Sequence, residues 1–581
     1  MNIFEEIRNL VIKNLTLMQA AGDLPYSLNF DPVAVEPPRD TSHGDLATNA
    51  AMVLASPSKK KSNDIALKLA EALNRSPLIA NVEIAGPGFL NIRLEFNVWG
   101  TVLRAILEDC KGYGRSNLGA AQKVNVEFVS ANPTGPLHVG HTRGAVFGDA
   151  LASLLEFVGF DVTREYYIND GGAQVDTLAR SVYLRYLEAH GHEVAFEDGT
   201  YPGDYLIDVG QALKREVGQK FVDRDEQDWL KQIRKFSIDA MMDLIKSDLL
   251  SLGIKIDNYF SEKSLYGTGQ IEAAISDLRV KGLIYEGTLD APKGKTDVDW
   301  EPRKQTLFKS TKYGDDVDRP VQKSDGNWTY FAPDMAYHFD KLNRGFNHLI
   351  DIFGADHGGY VKRMKAAVAA LSKEQTTLDI KLIQLVRLYK NGEPFKMSKR
   401  AGTFITLREL VDRVGADVAR FVMLTRKNDA TLDFDFEKVL QQTKENPIFY
   451  VQYAHARICS VMRKTIDFGW DVDDKSLAAC DMSCLNDAAE QALVAKVAEF
   501  PRLVEIAARS NEPHRIAFYL YELASEFHSL WNKGNDHPEL RFLQETNQTV
   551  SKTKIALIRS TAVVISAGLG ILGITPAEEM R

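Results

Sequence analysis

Near the start of the chain the apolar positions Phe4, Ile7, Leu10, Val11 and Leu15 recur at close to the helical interval, which predicts an amphipathic helix. In SHGDLATNAAMVLA, Ser42 is placed to cap a helix running through Leu46 and Met52. Another helix is predicted from about Asn63 to Leu73, and NVEIAGPGFLNIRL reads as strand. Helices against a small sheet predict a separate α/β domain over residues 1–115. The pattern changes at Lys123. KVNVEFVS alternates, with Val124, Val126 and Phe128 on one face, and ANPTGP follows as a turn rich in Asn, Pro and Gly. Beyond it Val146, Phe147, Ala150, Leu151, Leu154, Leu155 and Val158 form a broad apolar helical stripe. Strand, Gly/Pro turn and helix open a nucleotide-binding fold, in which the turn lies beside a helix N-terminus that attracts phosphate.

From about 175 to 300 helices and loops predominate and read as an insertion within that fold. Strand runs return at HLIDIFG and DIKLIQLVRLY, apolar stretches of the kind buried in a parallel sheet. From about Asp435 the pattern is helical to the end and predicts a bundle. The expected architecture is therefore α/β: a Rossmann-type parallel-sheet domain over 116–434 with its insertion, preceded by the small α/β domain and followed by a helical bundle over 435–581. No internal repeat or low-complexity segment interrupts it.

Composition changes this picture little. At 581 residues the chain exceeds one hydrophobic core, and roughly three to five domains are expected. A net charge of −9 argues against non-specific coating of nucleic acid, and leaves room for a local basic groove. Over 441–581, fifteen Lys and Arg face eighteen Asp and Glu, so RNA contact there must come from individually placed side chains. Lys59, Lys60 and Lys61 read as a solvated basic loop, with RNA contact as the alternative. Four cysteines are too few for a disulfide framework, and Cys480 and Cys484 lack a second Cys/His pair nearby, so no structural zinc is expected. MNIFEEIRNLVIKNL lacks a secretory or transit pattern, and Ala562–Ile574 reads as a core helix too short to span a bilayer. A cytoplasmic protein with no membrane partner is the expectation.

Two short constellations carry chemistry. His138-Val139-Gly140-His141 opens the helix after ANPTGP, with two imidazoles on one helical face and Gly140 allowing a bulky ligand near the backbone. At the positive end of a helix such a pair is suited to ATP phosphates and to charge developing during transfer. Lys396-Met397-Ser398-Lys399-Arg400-Ala401-Gly402 follows DIKLIQLVRLY and the turn NGEPF. Lysines on a loop there can close over a triphosphate and neutralise leaving pyrophosphate.

In this order, each after a strand, the two segments resemble the His-Ile-Gly-His and Lys-Met-Ser-Lys-Ser signatures of class I aminoacyl-tRNA synthetases. VEFVSANPTGPLHVGHTRGAVFGDAL resembles the first signature of the arginyl family. YYINDGGAQV, LFKSTKYGDDVDR, NPIFYVQYAHARI, TPAEEM, SHGDLATNAA and GPGFLNIRL resemble that family too, so the likeness covers nearly the whole chain. The chain departs from the pattern in Val139 for Ile, in Arg400 for Ser, and in ending with Arg581 after Met580.

The resemblance implies an arginine–tRNA ligase of bacterial type. It would use ATP with Mg²⁺, make arginyl-adenylate, and pass arginine to the 2′-hydroxyl of the terminal adenosine of its tRNA, working as a monomer. By position, the signature motif would be Ala131, Asn132, Pro133, Thr134, Gly135, Pro136, Leu137, His138, Val139, Gly140 and His141. His138, His141, Lys396 and Lys399 would be catalytic, and ATP would also meet Gly140, Met397 and Ser398. Glu127, Asn132 and His138 would hold the arginine α-ammonium and nearby polar groups, Tyr330 and Asp334 the guanidinium, with His357 (or Asp356) completing the pocket. A planar cation with five donors calls for a carboxylate and an aromatic wall. Phe89 and Asn91 would touch the tRNA elbow, and Tyr450, Tyr453 and Arg457, on one helical face, the anticodon loop. Rival readings are a synthetase for another amino acid, a catalytically silent tRNA-binding protein, and an ATP-dependent small-molecule ligase. The absent zinc cluster disfavours cysteinyl activity, the intact signature residues disfavour silence, and the helical C-terminal region is unexplained by a small-molecule ligase.

Overall fold

The computed structural model describes residues 1–289, 303–395 and 405–580. The chain forms two compact units, one of residues 1–116 with 442–581 and the other of residues 117–441.

The second unit is built on five parallel strands in the order Thr377–Ile383, His348–Gly354, Lys123–Glu127, Asp161–Ile168, Asn258–Ser261. From the central strand Lys123–Glu127 the chain moves to one side, and from its neighbour His348–Gly354 to the other. The crevice beyond their carboxyl ends is therefore a topological switch point, where ligands bind in open α/β sheets. Val124, Val126 and Phe128 lie fully buried, as the alternation predicts. On their side packs the helix Val139–Phe157, close enough that a side chain at Gly148 would collide with the Phe128 ring. The opposite face, carrying Glu127 and Glu165, is covered by the helix Phe331–Asn343. Arg143 is fully buried beneath the signature helix because its guanidinium donates to the carbonyls of Gln384, Ala430, Arg426 and Lys427.

Two expectations for this unit change. The inserted helices Gln174–Ala189, Tyr205–Val217 and Glu226–Ser251 end well before residue 300, because Asn258–Ser261 returns to the sheet as its edge strand. DIKLIQLVRLY is also two strands. Thr377–Ile383 belongs to the parallel sheet, whereas Val386–Lys390 pairs with Leu432–Asp435 in a separate three-stranded sheet. The step lies at Gln384, whose N–H is taken by the Asn428 carbonyl and whose carbonyl is taken by Arg143.

In the first unit the helices Ile3–Ala20 and Ser62–Leu73 form as their periodicity predicts. Leu46–Thr48, however, is a strand between Val35–Glu36 and Phe89–Leu94, and the helix starts only at Ala50. Pairing of Leu46 with Ile92, and of Ala47 and Thr48 on both edges, overrides local helix preference, and Ser42 sits in a short 3₁₀ turn. NVEIAGPGFLNIRL is a hairpin of two strands, Ile79–Ala85 and Phe89–Leu94, turned at Gly86-Pro87-Gly88. The helical bundle includes Pro447–Asp467, His514–Asp536 and Gln548–Ile571. The last of these absorbs Ala562 and, at 24 residues, is long and apolar enough to cross a membrane. Burial of 78% of its most apolar window, not shortness, makes it a core helix. TPAEEM docks back on Pro447–Asp467 through Gln452 and His455, which bond the backbone of Thr575 and Ala577.

Candidate active site

The loop leaving Lys123–Glu127 begins with two consecutive non-glycine residues at positive φ, Val129 at 68° and Ser130 at 39°. For a β-branched residue this is strained backbone. Its effect is to turn the Ser130 hydroxyl onto Glu127 (3.0 Å) while its oxygen receives the Tyr167 N–H (3.1 Å). Leu137, at the end of the loop, gives its N–H to Asp248 of the inserted helix Glu226–Ser251 (3.2 Å).

His138 is the N-cap of Val139–Phe157. Its Nδ1 accepts the Gly140 N–H at 3.0 Å, and the Nδ1 of His141 accepts the His138 N–H at 3.2 Å. With both Nδ1 atoms accepting, a neutral ring in either position carries its proton on Nε2. The rings stack 3.8 Å apart. Gly140 has a further reason to be glycine: a Cβ there would lie 2.8 Å from the His138 ring. Lys396, Met397, Ser398 and Lys399 lie outside the described residues. The chain just after them returns to the first motif, since Val139 donates to the Ile405 carbonyl (3.1 Å) and Leu407 to the Leu137 carbonyl (2.7 Å), pairing Thr406 with His138.

Under the loop lies a buried charge cluster. Lys341, fully buried, donates to Glu127 (2.6 Å) and Asp351 (3.0 Å), while Arg344 forks onto Glu165 (2.6 and 2.7 Å). Burial alone would lower the Lys341 pKa, but Asp351, Glu127 and Glu165 together raise it. For Glu165 burial pushes upward, yet Arg344 and Lys341 hold the carboxyl down at about 2. Glu127 thus already has a cationic partner inside the protein.

Asp334 stands differently. It lies in the first turn of Phe331–Asn343 and forms no ion pair with a Lys or Arg among the described residues; Tyr360 donates a hydrogen bond to it. Burial raises its pKa to about 7, against the lowering effects of that hydroxyl and of the nearby His338, and Glu262 and Glu127 add repulsion. Glu262 is also buried. Its Oε1 accepts from Tyr266 (3.1 Å), and its Oε2 has no side-chain partner among the described residues, although the Gly171 backbone N–H lies beside the carboxylate. Burial raises its pKa as well, against the lowering effects of Tyr266 and the Gly171 N–H. Two carboxylates of raised pKa beside an internally paired third have the chemistry to take up a cation.

Of the remaining predicted residues, Asn132 is exposed and donates to Gln174 (2.9 Å). Tyr330, the N-cap of its helix, is 89% exposed instead of walling Asp334. His357 is exposed beside Asp356, and from GADHGGY it is Tyr360 that reaches Asp334. Glu262, Tyr360 and Lys341 escape a reading from sequence. Only Tyr360 had a local signal, lying three residues past His357.

In the other unit Phe89 is 40% exposed, whereas Asn91 is buried in the sheet. Tyr450, Tyr453 and Arg457 share one face of Pro447–Asp467. Arg457 donates to the Tyr453 hydroxyl (2.9 Å) and lies over the rings of Tyr453 and Trp531, and Tyr450 packs on His528 and the half-exposed Tyr521.

A histidine-capped helix at the switch point of a parallel sheet, hydrogen-bonded to the chain beyond a lysine motif, marks a class I aminoacyl-tRNA synthetase. Comparison with known proteins narrows this. Residues 101–462 match the family described as tRNA synthetases class I (R), catalytic domain; residues 5–94 match the arginyl tRNA synthetase N terminal domain, and 451–580 the DALR anticodon binding domain. The chain is 68% identical to the arginine–tRNA ligase of Ruegeria pomeroyi and 64% identical to that of Paracoccus denitrificans, each over 581 residues and 100% of both chains. Its fold is similar to the Thermus thermophilus arginyl-tRNA synthetase, with a TM-score of 0.73 at 19% identity, covering 99% of this chain and 100% of that one. The chain belongs to the arginyl-tRNA synthetase family.

Proposed function

We infer that the chain is an arginine–tRNA ligase that activates arginine with MgATP and transfers it to the 2′-hydroxyl of the terminal adenosine of its tRNA. The observation that carries the amino-acid assignment is the pair of carboxylates Asp334 and Glu262, without a Lys or Arg ion-pair partner among the described residues and both held at raised pKa near the carboxyl end of the sheet. A guanidinium offers five donors in one plane and stays charged throughout the physiological range, so it restores to both carboxylates the anionic state that burial opposes.

In this reading Glu127, held by Lys341, and Asn132 orient the α-ammonium, while Asp334, with Tyr360 bonded to it, and Glu262 take the guanidinium. The arginine carboxylate then attacks the ATP α-phosphate. His138 and His141, whose Nε2–H groups are left as donors by the Nδ1 contacts, stabilise phosphate charge together with Lys396 and Lys399. No protein nucleophile is required; positioning and charge stabilisation carry both steps. Residues 1–115 with Phe89 and Asn91 engage the tRNA elbow. The 435–581 segment with Tyr450, Tyr453 and Arg457 engages the anticodon loop, supported by its match to an anticodon-binding domain. The enzyme acts as a cytoplasmic monomer. The test is tRNA charging with each of the twenty labelled amino acids: only arginine should be esterified, and charging by a different amino acid with comparable efficiency would overturn the assignment.

A further inference from the structure

We propose that Tyr167 is a specificity-determining residue of the arginine pocket, its phenolic oxygen accepting a hydrogen bond from the substrate guanidinium beside Asp334 and Glu262. This rests on the assignment of those carboxylates to the guanidinium.

Strand register fixes where the ring points. Glu165 pairs with Glu127, and Tyr167 pairs with Phe260. Alternation therefore puts Glu127, Glu165, Tyr167 and Phe260 on one face of the sheet, the face covered by Phe331–Asn343. Lys341 and Tyr337 of that helix reach Glu127 and Glu165 there. The Tyr167 ring stacks on Phe260 at 6.2 Å and packs on Tyr337 at 4.6 Å, which holds it from two sides. Glu262 follows Phe260 by two residues, and Asp334 precedes Tyr337 by three, one helical turn along the same side. Both elements against which the ring packs thus lead to the cation-binding carboxylates.

The hydroxyl itself is unusual among its neighbours. Tyr337 donates to Glu165 (2.7 Å), Tyr266 to Glu262 (3.1 Å), Tyr360 to Asp334, and Tyr166 to the Ala131 carbonyl (2.7 Å). The Tyr167 hydroxyl is buried and has no partner among the described residues, although the side chain is only 9% exposed. Burial first, then the charges of Asp334, Glu262 and Glu127, oppose its ionisation, so it remains a neutral phenol facing three carboxylates. A buried polar group left unpaired costs stability, and such groups cluster where a ligand supplies the partner. Glu262 Oε2 in the same place likewise lacks a side-chain partner among the described residues. A bound guanidinium supplies N–H donors for both oxygens, while the phenol can turn its own hydrogen to a carboxylate. The site is then two anions and one neutral oxygen, matched to a planar fork and poorly matched to a compact ammonium.

The experiment uses the full-length enzyme with Tyr167→Phe, which keeps the ring. Aminoacylation should show kcat/KM for arginine lowered about three- to tenfold, the effect of one neutral hydrogen bond, with KM for ATP unchanged. The thermal midpoint should not fall, since no bond within the protein is lost. Two competitive probes isolate the guanidinium end: inhibition by agmatine should weaken by the same factor, and inhibition by norvaline should not change. Equal weakening of both probes, or unchanged arginine and agmatine constants, would overturn the proposal. Asp334→Asn is measured in parallel. Loss of arginine there with none in Tyr167→Phe rejects Tyr167 alone, whereas no loss in either variant rejects the pocket assignment and the proposal with it.

Discussion

Replacing Asp334 by Asn should separate function from stability in opposite directions. The carboxyl is held at about 7 instead of 3.8. A folded-state pKa above the unfolded value means that stability is fully present below pH 3.8 and is lost as pH rises through 7, because the folded protein must then bury an anion. At about 1.4 kcal/mol per pKa unit, the ionised group costs the empty enzyme roughly 2–4 kcal/mol at pH 8, the lower end allowing for partial solvent access. Asn removes that cost and can still accept from Tyr360. The variant should therefore melt several degrees higher than wild type at pH 8, with the gain shrinking toward pH 5. Arginine binding should suffer. A carboxylate accepts two parallel N–H bonds from a guanidinium, whereas an amide offers one acceptor and presents unwanted donors. Losing the pair should cost about 2–5 kcal/mol in the transition state, a fall in kcat/KM for arginine of roughly thirty- to several-thousandfold, with KM for ATP within a few-fold. Steady-state aminoacylation and thermal melts across pH 5–9 measure both effects. Unchanged kcat/KM for arginine would remove Asp334 from the pocket. Loss of stability at pH 8, or equal losses for arginine and ATP, would show that the carboxylate has a structural role instead.

Lys399→Ala should lower kcat about ten- to a thousandfold, in line with removal of one charged stabiliser, and leave arginine binding nearly unchanged; near-normal kcat would make that loop a bystander. The family resemblance implies that bound tRNA completes the active site, so pyrophosphate exchange with arginine and ATP should depend on added tRNA, and equal exchange without it would reject this induced-fit device. Lys341→Met leaves Glu127 and Asp351 without their shared buried cation. It should destabilise the protein by about 3–5 kcal/mol in urea denaturation, and a loss below about 1 kcal/mol would mean that solvent already serves those carboxylates.

Local pattern alone determined the working order of this protein. The Ile3–Ala20 and Val139–Phe157 helices follow from residues three and four apart, and the two signature motifs are contiguous stretches whose chemistry is readable without neighbours. That is why the nucleotide-binding opening and the class of reaction were legible. Positions that depend on pairing between distant segments were not. Leu46 carries a helical pattern yet becomes strand because Phe89–Leu94 pairs along Leu46–Thr48 and Val35–Glu36 closes the other edge at Ala47 and Thr48. DIKLIQLVRLY is one apolar run in sequence and two sheets in space, divided where Arg143 and Asn428 take the backbone of Gln384. The candidate arginine site shows the same limit most sharply. Asp334 could be reached by resemblance, but its raised pKa comes from burial and from the charge of Glu262, seventy-odd residues earlier, which outweigh the opposing hydrogen bond from Tyr360. Whether an acidic residue is a solvated surface group, a neutralised anchor like Glu127 or a receptor for a cation depends on which charges and how much water surround it, and those are set only when the strands and helices close on one another.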